Sequence, residues 1–201
     1  DGAFGQYCIV MPEQDMVMAM TSGVSNMQAV LDAVWEHILP AAEDGACPAD
    51  PAAEGQLRER LAGLNLAAPS GLPTPPLAAQ VSGRCYVLPE NADGLHTLAF
   101  DFSRPQPVLL LEDATKGYPV TVGTGEWVRG MAPALRGMVM PVVAAGAWTA
   151  ADTYLVQLCY YGTPFSRTLT CRFDGDTVTV DARLNVSFGP LEQPQLVGRT
   201  A

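Results

Sequence analysis

The chain has 201 residues, 48 % of them hydrophobic and 16 % charged, with a net charge of −10. That balance suits one core-forming domain, or a small domain with an appendage, and excludes a disordered chain. Residues 1–80 hold ten acids against Arg58 and Arg60, and residues 81–201 hold eleven acids against nine bases, so the field repels phosphate backbones and no nucleic acid partner is expected.

Residues 6–41 read as strand, turn, strand and helix. Gln6 to Met11 is apolar and β-prone, Pro12 ends it, and Glu13-Gln14-Asp15 makes the turn. Met16 to Met20 follows as a second strand. Ser25 and Gln28 then have the spacing of a capping box, and Met27, Val30, Leu31, Val34, Trp35, Ile38 and Leu39 recur on one helical face until Pro40. Residues 42–79 turn to Ala, Pro, Gly and acids, with an extended Pro-rich stretch at 68–76, and read as a linker. Inside it Asp50, Pro51 and Glu54 start a short helix with Leu57, Leu61 and Leu64 on its apolar side.

From Ser82 onward every signal is β. Short runs at 84–88, 97–102, 108–111, 118–122, 126–130, 138–143 and 154–161 are bounded by Pro, Gly, Asn or Asp. The last hairpin is the sharpest: Phe165, Leu169, Cys171 and Phe173 alternate with polar residues, Asp174-Gly175 turns, and Val178, Val180 and Ala182 alternate again. Seven to nine antiparallel strands predict a small barrel or sandwich over 80–201.

Chemistry-bearing motifs are sparse. A penicillin-recognising serine hydrolase needs Ser-x-x-Lys and a Lys-Thr-Gly or His-x-Gly strand. The single lysine, Lys116, has no serine three residues before it, and Thr115-Lys116-Gly117 swaps the first two letters of the strand motif. Gly123-Thr124-Gly125-Glu126-Trp127-Val128 lacks the third glycine of a dinucleotide fingerprint and reads as a turn before a strand. His37 and His96 read as structural. Cys8, Cys47, Cys85, Cys159 and Cys171 include no C-x-x-C pair for zinc, and their odd number favours a reducing, cytoplasmic compartment. No metal and no cofactor is expected. Glu126, Trp127 and Arg129, an aromatic between opposite charges, are the candidate binding residues, weighed against an edge strand with Trp127 in the core; Trp148, Tyr160 and Tyr161 read as barrel packing.

Residues 1–41, through Gly2-Ala3-Phe4-Gly5-Gln6-Tyr7, the strand ending at Met11-Pro12, the strand 16–20 and the helix, resemble the closing segment of the class C β-lactamase, carboxypeptidase and esterase family. Residues 82–189, through Gly125-Glu126-Trp127-Val128-Arg129-Gly130, Gly146-Ala147-Trp148-Thr149, Asp152-Thr153-Tyr154 and Asn185-Val186-Ser187-Phe188-Gly189, resemble the carboxyl-terminal region of bacterial serine hydrolases of that family, whose relatives carry lipocalin-like barrels.

The resemblance implies a mainly β chain. Residues 1–41 would be the last two strands and terminal helix of an α/β hydrolase domain, 42–79 a linker, and 80–201 a lipocalin-like accessory barrel. The catalytic motif, and any targeting segment, would lie upstream of Asp1, so no catalytic residue falls in this chain. The chain by itself would then be an inactive fragment of a parent acting on an amide or ester. Its barrel would shape the active-site mouth or oligomer contacts; its partners would be the parent catalytic domain and a second copy of the chain through residues 1–41. The alternative is an independent lipocalin-like barrel that binds a small apolar ligand.

Overall fold

A computed structural model describes residues 1–43, 45, 48–134 and 138–201; Cys47 lies outside them. The chain divides into two compact units, 1–67 and 68–201.

The first unit holds the expected hairpin, β1 (Tyr7–Met11) and β2 (Met16–Met20), paired in register from Tyr7 opposite Met20 to Met11 opposite Met16. Asp15 closes the turn in a left-handed conformation, φ 47°. Ser22 donates its hydroxyl to the carbonyls of Phe4 and Gly5 at 2.9 and 2.7 Å, and Tyr7 donates to Met27 O at 3.2 Å, which fixes the start of α1 (Met27–Ala33).

The helix differs from its expected form in two ways. Asn26, not Ser25, is the cap, its side chain accepting from Ala29 N, while Gln28 spends its amide on Asp32. After Ala33 the backbone widens into a π-turn over Val34–Ile38 and tightens at Leu39–Ala41, because Pro40 has no N–H with which to continue an α-helical ladder. β1 and β2 leave Val10 and Val17, which face each other across the ladder, 63 % and 67 % exposed. The apolar run 7–11 is therefore open on one face. α2 (Pro51–Ala62) starts as expected, with Asp50 accepting from Ala52 N and Ala53 N, but Leu57 and Leu61, with Leu64 beyond its end, stay exposed.

The second unit is a nearly closed ten-stranded antiparallel barrel. The short helix α3 (Leu77–Val81) leads into β3 (Cys85–Val87), β4 (Thr97–Asp101), β5 (Val108–Glu112) and β6 (Gly117–Thr121). Then come β7 (Val128–Pro133), β8 (Val139–Ala150), β9 (Thr153–Cys159), β10 (Ser166–Asp174), β11 (Thr177–Leu184) and β12 (Leu196–Thr200). Each strand pairs with its sequence neighbour except β6 and β7, and β12 pairs with β3, giving the order 6-5-4-3-12-11-10-9-8-7. The chain just beyond β6 closes the gap: Gly123 N–H donates to Ala144 O at 3.2 Å, and Gly123 O accepts from Gly146 N–H at 2.9 Å.

The 68–76 stretch, expected as linker, belongs to this unit, since Leu72 N–H donates to Trp148 O at 2.7 Å. The strand expected to end at Val143 continues to Ala150, and β12 and α3 had no counterpart among the expected elements. Of the expected packing aromatics, Trp148 and Tyr160 are buried while Tyr161 is exposed.

Alternation fills the barrel. Leu169, Cys171 and Phe173 on β10, and Val178, Val180, Ala182 and Leu184 on β11, are buried, with Thr, Asp and Arg between them. The hairpin joining them places Gly175 first in a two-residue loop, at φ 55°, with Asp174 opposite Thr177. A glycine there is what a type II′ turn requires.

One end of the barrel, where the β4–β5, β8–β9 and β10–β11 connections lie, is plugged by aromatic rings. Phe102 sits 5.0 Å from both Trp148 and Tyr154, Trp148 lies 5.1 Å from Tyr154, and Phe100 meets Phe173 edge-on at 5.8 Å. Edge and tilted ring pairs at these distances add to the burial of large apolar area.

Candidate site at the open end of the barrel

With one end sealed by rings, free space gathers at the other. Here the β3–β4, β7–β8, β9–β10 and β11–β12 connections surround three cavities that have one side chain in common, Arg167. A cavity of about 180 Å³ is walled by Ala134, Met138, Met140, Tyr160, Phe165 and Leu184, with Thr163 and Arg167 completing it. A void of only about 30 Å³ lies deeper among the core leucines, and an outer cleft of about 590 Å³ opens between Glu90–Asp93 and Gln193–Leu196.

Arg167 reaches this position by the same period-two rule that built the core. It stands two residues before Leu169 on β10, opposite Leu184 and Leu158, so it occupies the inward register. Its Nη2 lies 2.5 Å from Asp93 Oδ2, with the two side chains 11 % and 10 % exposed. Asp93 is presented by the β3–β4 loop, which Asn91 organises. Its Oδ1 accepts from Asp93 N and Leu95 N at 3.2 Å, and its amide donates to Pro89 O and Leu95 O.

The polar groups of the apolar wall are mostly spent. Tyr160 donates to Pro133 O at 2.8 Å, and Thr163 donates to Tyr160 O while accepting from Phe165 N. Arg167 Nε, by contrast, is buried and has no hydrogen-bond partner among the described residues. Burial pushes the Tyr160 hydroxyl up to about 12; Arg167 opposes that rise and Asp93 adds to it. At neutral pH Tyr160 is an uncharged wall, and among the described residues the charges here are those of Arg167, Asp93 and, at the outer cleft, Glu90.

The residues selected from sequence lie elsewhere. Glu126 is in the β6–β7 connection, accepting from Gln106 Nε2 at 2.7 Å; Trp127 is half-buried; Arg129 is exposed with its guanidinium 5.7 Å from the Tyr161 ring centroid. None of the three lines the Arg167 cavities. His37 and His96 are exposed. Thr115 and Lys116 belong to a surface turn. There Asp113 accepts from Thr115 Oγ1 and from both backbone amides, and these bonds, with that of Tyr118, hold its carboxyl well below the usual range. Among the described residues, no three His, Cys, Asp or Glu side chains gather into a metal site.

Arg167 was missed although a signal existed. The inward series that enters and follows β10 runs Phe165, Arg167, Leu169, Cys171, Phe173, and a base in that series stands where a hydrophobe is expected. Asp93 sits in a loop and carried no such signal.

No family model matches the chain, and no curated protein matches it. Among solved structures, a Schistosoma mansoni fatty acid binding protein in complex with arachidonic acid is similar at 13 % identity and a TM-score of 0.47, over 62 % of this chain and 98 % of that one. As-p18, an extracellular fatty acid binding protein, is similar at 15 % identity and a TM-score of 0.46, over 65 % of this chain and 100 % of that one.

These findings overturn the reading of the chain as the carboxyl-terminal piece of a β-lactamase-like serine hydrolase, and with it the accessory role at a hydrolase active-site mouth. The phrases that carried the resemblance serve the barrel itself. Gly146 has no room for a Cβ, which would fall 2.7 Å from Leu155 O; Trp148 belongs to the aromatic plug; and Asn185 ties β11 to the β9–β10 connection through Ser166 N and Pro164 O.

Proposed function

We propose that the barrel is an independent binding module for one small, predominantly apolar molecule, held in the 180 Å³ cavity at its open end. The observation that carries this reading is the wall: Ala134, Met138, Met140, Tyr160, Phe165 and Leu184 turn apolar surface toward a space larger than the ~150 Å³ cavity that suffices for benzene. Methionine side chains adapt to the outline of a ligand at little cost. The deeper void of about 30 Å³ does not compete, since it has room for roughly a single water. Matching volumes limits the ligand to roughly six to ten non-hydrogen atoms.

The test is calorimetric titration of the full chain with ethylbenzene, beside the thermal midpoint at saturating ligand. One-to-one binding and a raised midpoint are expected, since a ligand at about 100 times its Kd adds about 2.7 kcal/mol to stability. Ala134→Phe, which fills the cavity from its wall, should fold and lose the binding. Absence of binding, or unchanged binding in the filled variant, overturns the reading.

A further inference from the structure

Resting on that reading, we infer that the ligand is uncharged and carries one hydrogen-bond-accepting oxygen, a carbonyl, ether or ester rather than a carboxylate, which takes its bond from Arg167 Nε. The inference comes from a charge count. A lone buried guanidinium facing an apolar cavity would call for an anion. Here the guanidinium is already neutralised by Asp93 at 2.5 Å, with both side chains about nine-tenths buried. Among the described residues that wall the three cavities, the charged side chains are Arg167, Asp93 and Glu90, and the whole chain carries −10. A carboxylate entering would be an unpaired negative charge in an apolar cavity, beside a guanidinium already committed to Asp93. Burying such an ion is far more costly than burying a neutral oxygen.

One donor remains. Nη2 is engaged with Asp93, the hydroxyls of Tyr160 and Thr163 donate to Pro133 O and Tyr160 O, and Nε–H has no acceptor. A buried donor left unmade is costly, so a ligand that supplies an acceptor gains more than the bond is ordinarily worth. A single neutral oxygen at the polar end of an apolar body satisfies the site without upsetting its charge balance.

Three probes of nearly equal size separate the cases: ethylbenzene with no acceptor, acetophenone with a neutral one, and benzoate with an anionic one. Calorimetry on the full chain at pH 7.5 should rank acetophenone about tenfold tighter than ethylbenzene, with benzoate weakest. Asp93→Asn removes the compensating charge, and in that variant benzoate should rise above acetophenone. The paired variant Asp93→Leu with Arg167→Met, neutral and without the donor, should keep ethylbenzene affinity and lose the acetophenone preference. If Asp93→Asn fails to fold, the wild-type ranking decides alone. Benzoate tightest in the wild type, or acetophenone equal to ethylbenzene, overturns this inference and leaves the apolar site standing. Binding of none of the three overturns both.

Discussion

Arg167 and Asp93 form an ion pair of 2.5 Å at the open end of the barrel, with their side chains only 11 % and 10 % exposed. Two largely desolvated charges hold each other in place, and losing one leaves the other mostly buried without its partner. The pair joins the β3–β4 loop to β10, and through Arg167 it reaches the wall of the apolar cavity.

Removing one partner should therefore be worse than removing both. Asp93→Leu leaves the guanidinium buried and unpaired, and should cost about 3–5 kcal/mol in urea unfolding. Adding Arg167→Met to that variant should recover most of the loss. A double variant no more stable than the single one would show that the pair contributes through packing rather than through charge.

The aromatic plug should behave as rigid core. Phe100 is 1 % exposed and stacks on Phe102 at 5.2 Å while meeting Tyr154 and Phe173 edge-on. Phe100→Ala should cost about 3–5 kcal/mol through lost burial and a residual cavity. Such a cavity at the sealed end would give ethylbenzene a second place to bind, which a stoichiometry above one would report.

Barrel closure depends on close backbone approach at Gly146. An added Cβ there would lie 2.7 Å from Leu155 O and 2.8 Å from the Tyr154 hydroxyl, whereas Gly130, also in a strand, has nothing within 4 Å. Gly146→Ala should destabilise by about 1–3 kcal/mol as β8 and β9 are pushed apart. Gly130→Ala should be neutral or slightly stabilising. Equal effects of the two substitutions in thermal unfolding would contradict the closure argument.

Alkaline pH should unfold the barrel in a defined window. Burial pushes the Cys171 thiol from 9.0 to about 12 and the Tyr160 hydroxyl from 10.0 to about 12. Between the ordinary and the raised values the unfolded chain releases protons that the folded chain keeps, so stability falls as pH rises. The contribution is whole below pH 9 and is lost between about pH 9 and 12. Cys171→Val should remove the earlier part of that fall, read from urea midpoints at half-unit pH steps. A midpoint as steep in the variant as in the wild type would assign the loss to other groups.

The Arg167 cavity went unread in the sequence at one identifiable step. Alternation along 165–173 was legible, and applied to every position it puts Arg167 inside; grouping the hydrophobes alone passed over it. The glycine and aromatic phrases at 123–130 and 146–149 drew attention to the wrong chemistry. Tight backbone approach and ring packing demand such residues in barrels of unrelated ancestry. Segment 68–76 looked extended because of its prolines; that it docks on Trp148 depends on a carbonyl far away in the chain.

Local chemistry was thus enough to determine the β content, the inward-facing hydrophobes of the last hairpin, its turn at Gly175 and the Asp50 cap, because side-chain period and turn geometry are properties of a few consecutive residues. Which strands become neighbours, the closure through Gly123 and the end the rings seal were decided only by the tertiary structure. So was the meeting of Asp93 with Arg167. Each of these rests on non-local register, and a pairing between distant residues leaves no period in the sequence from which to read it.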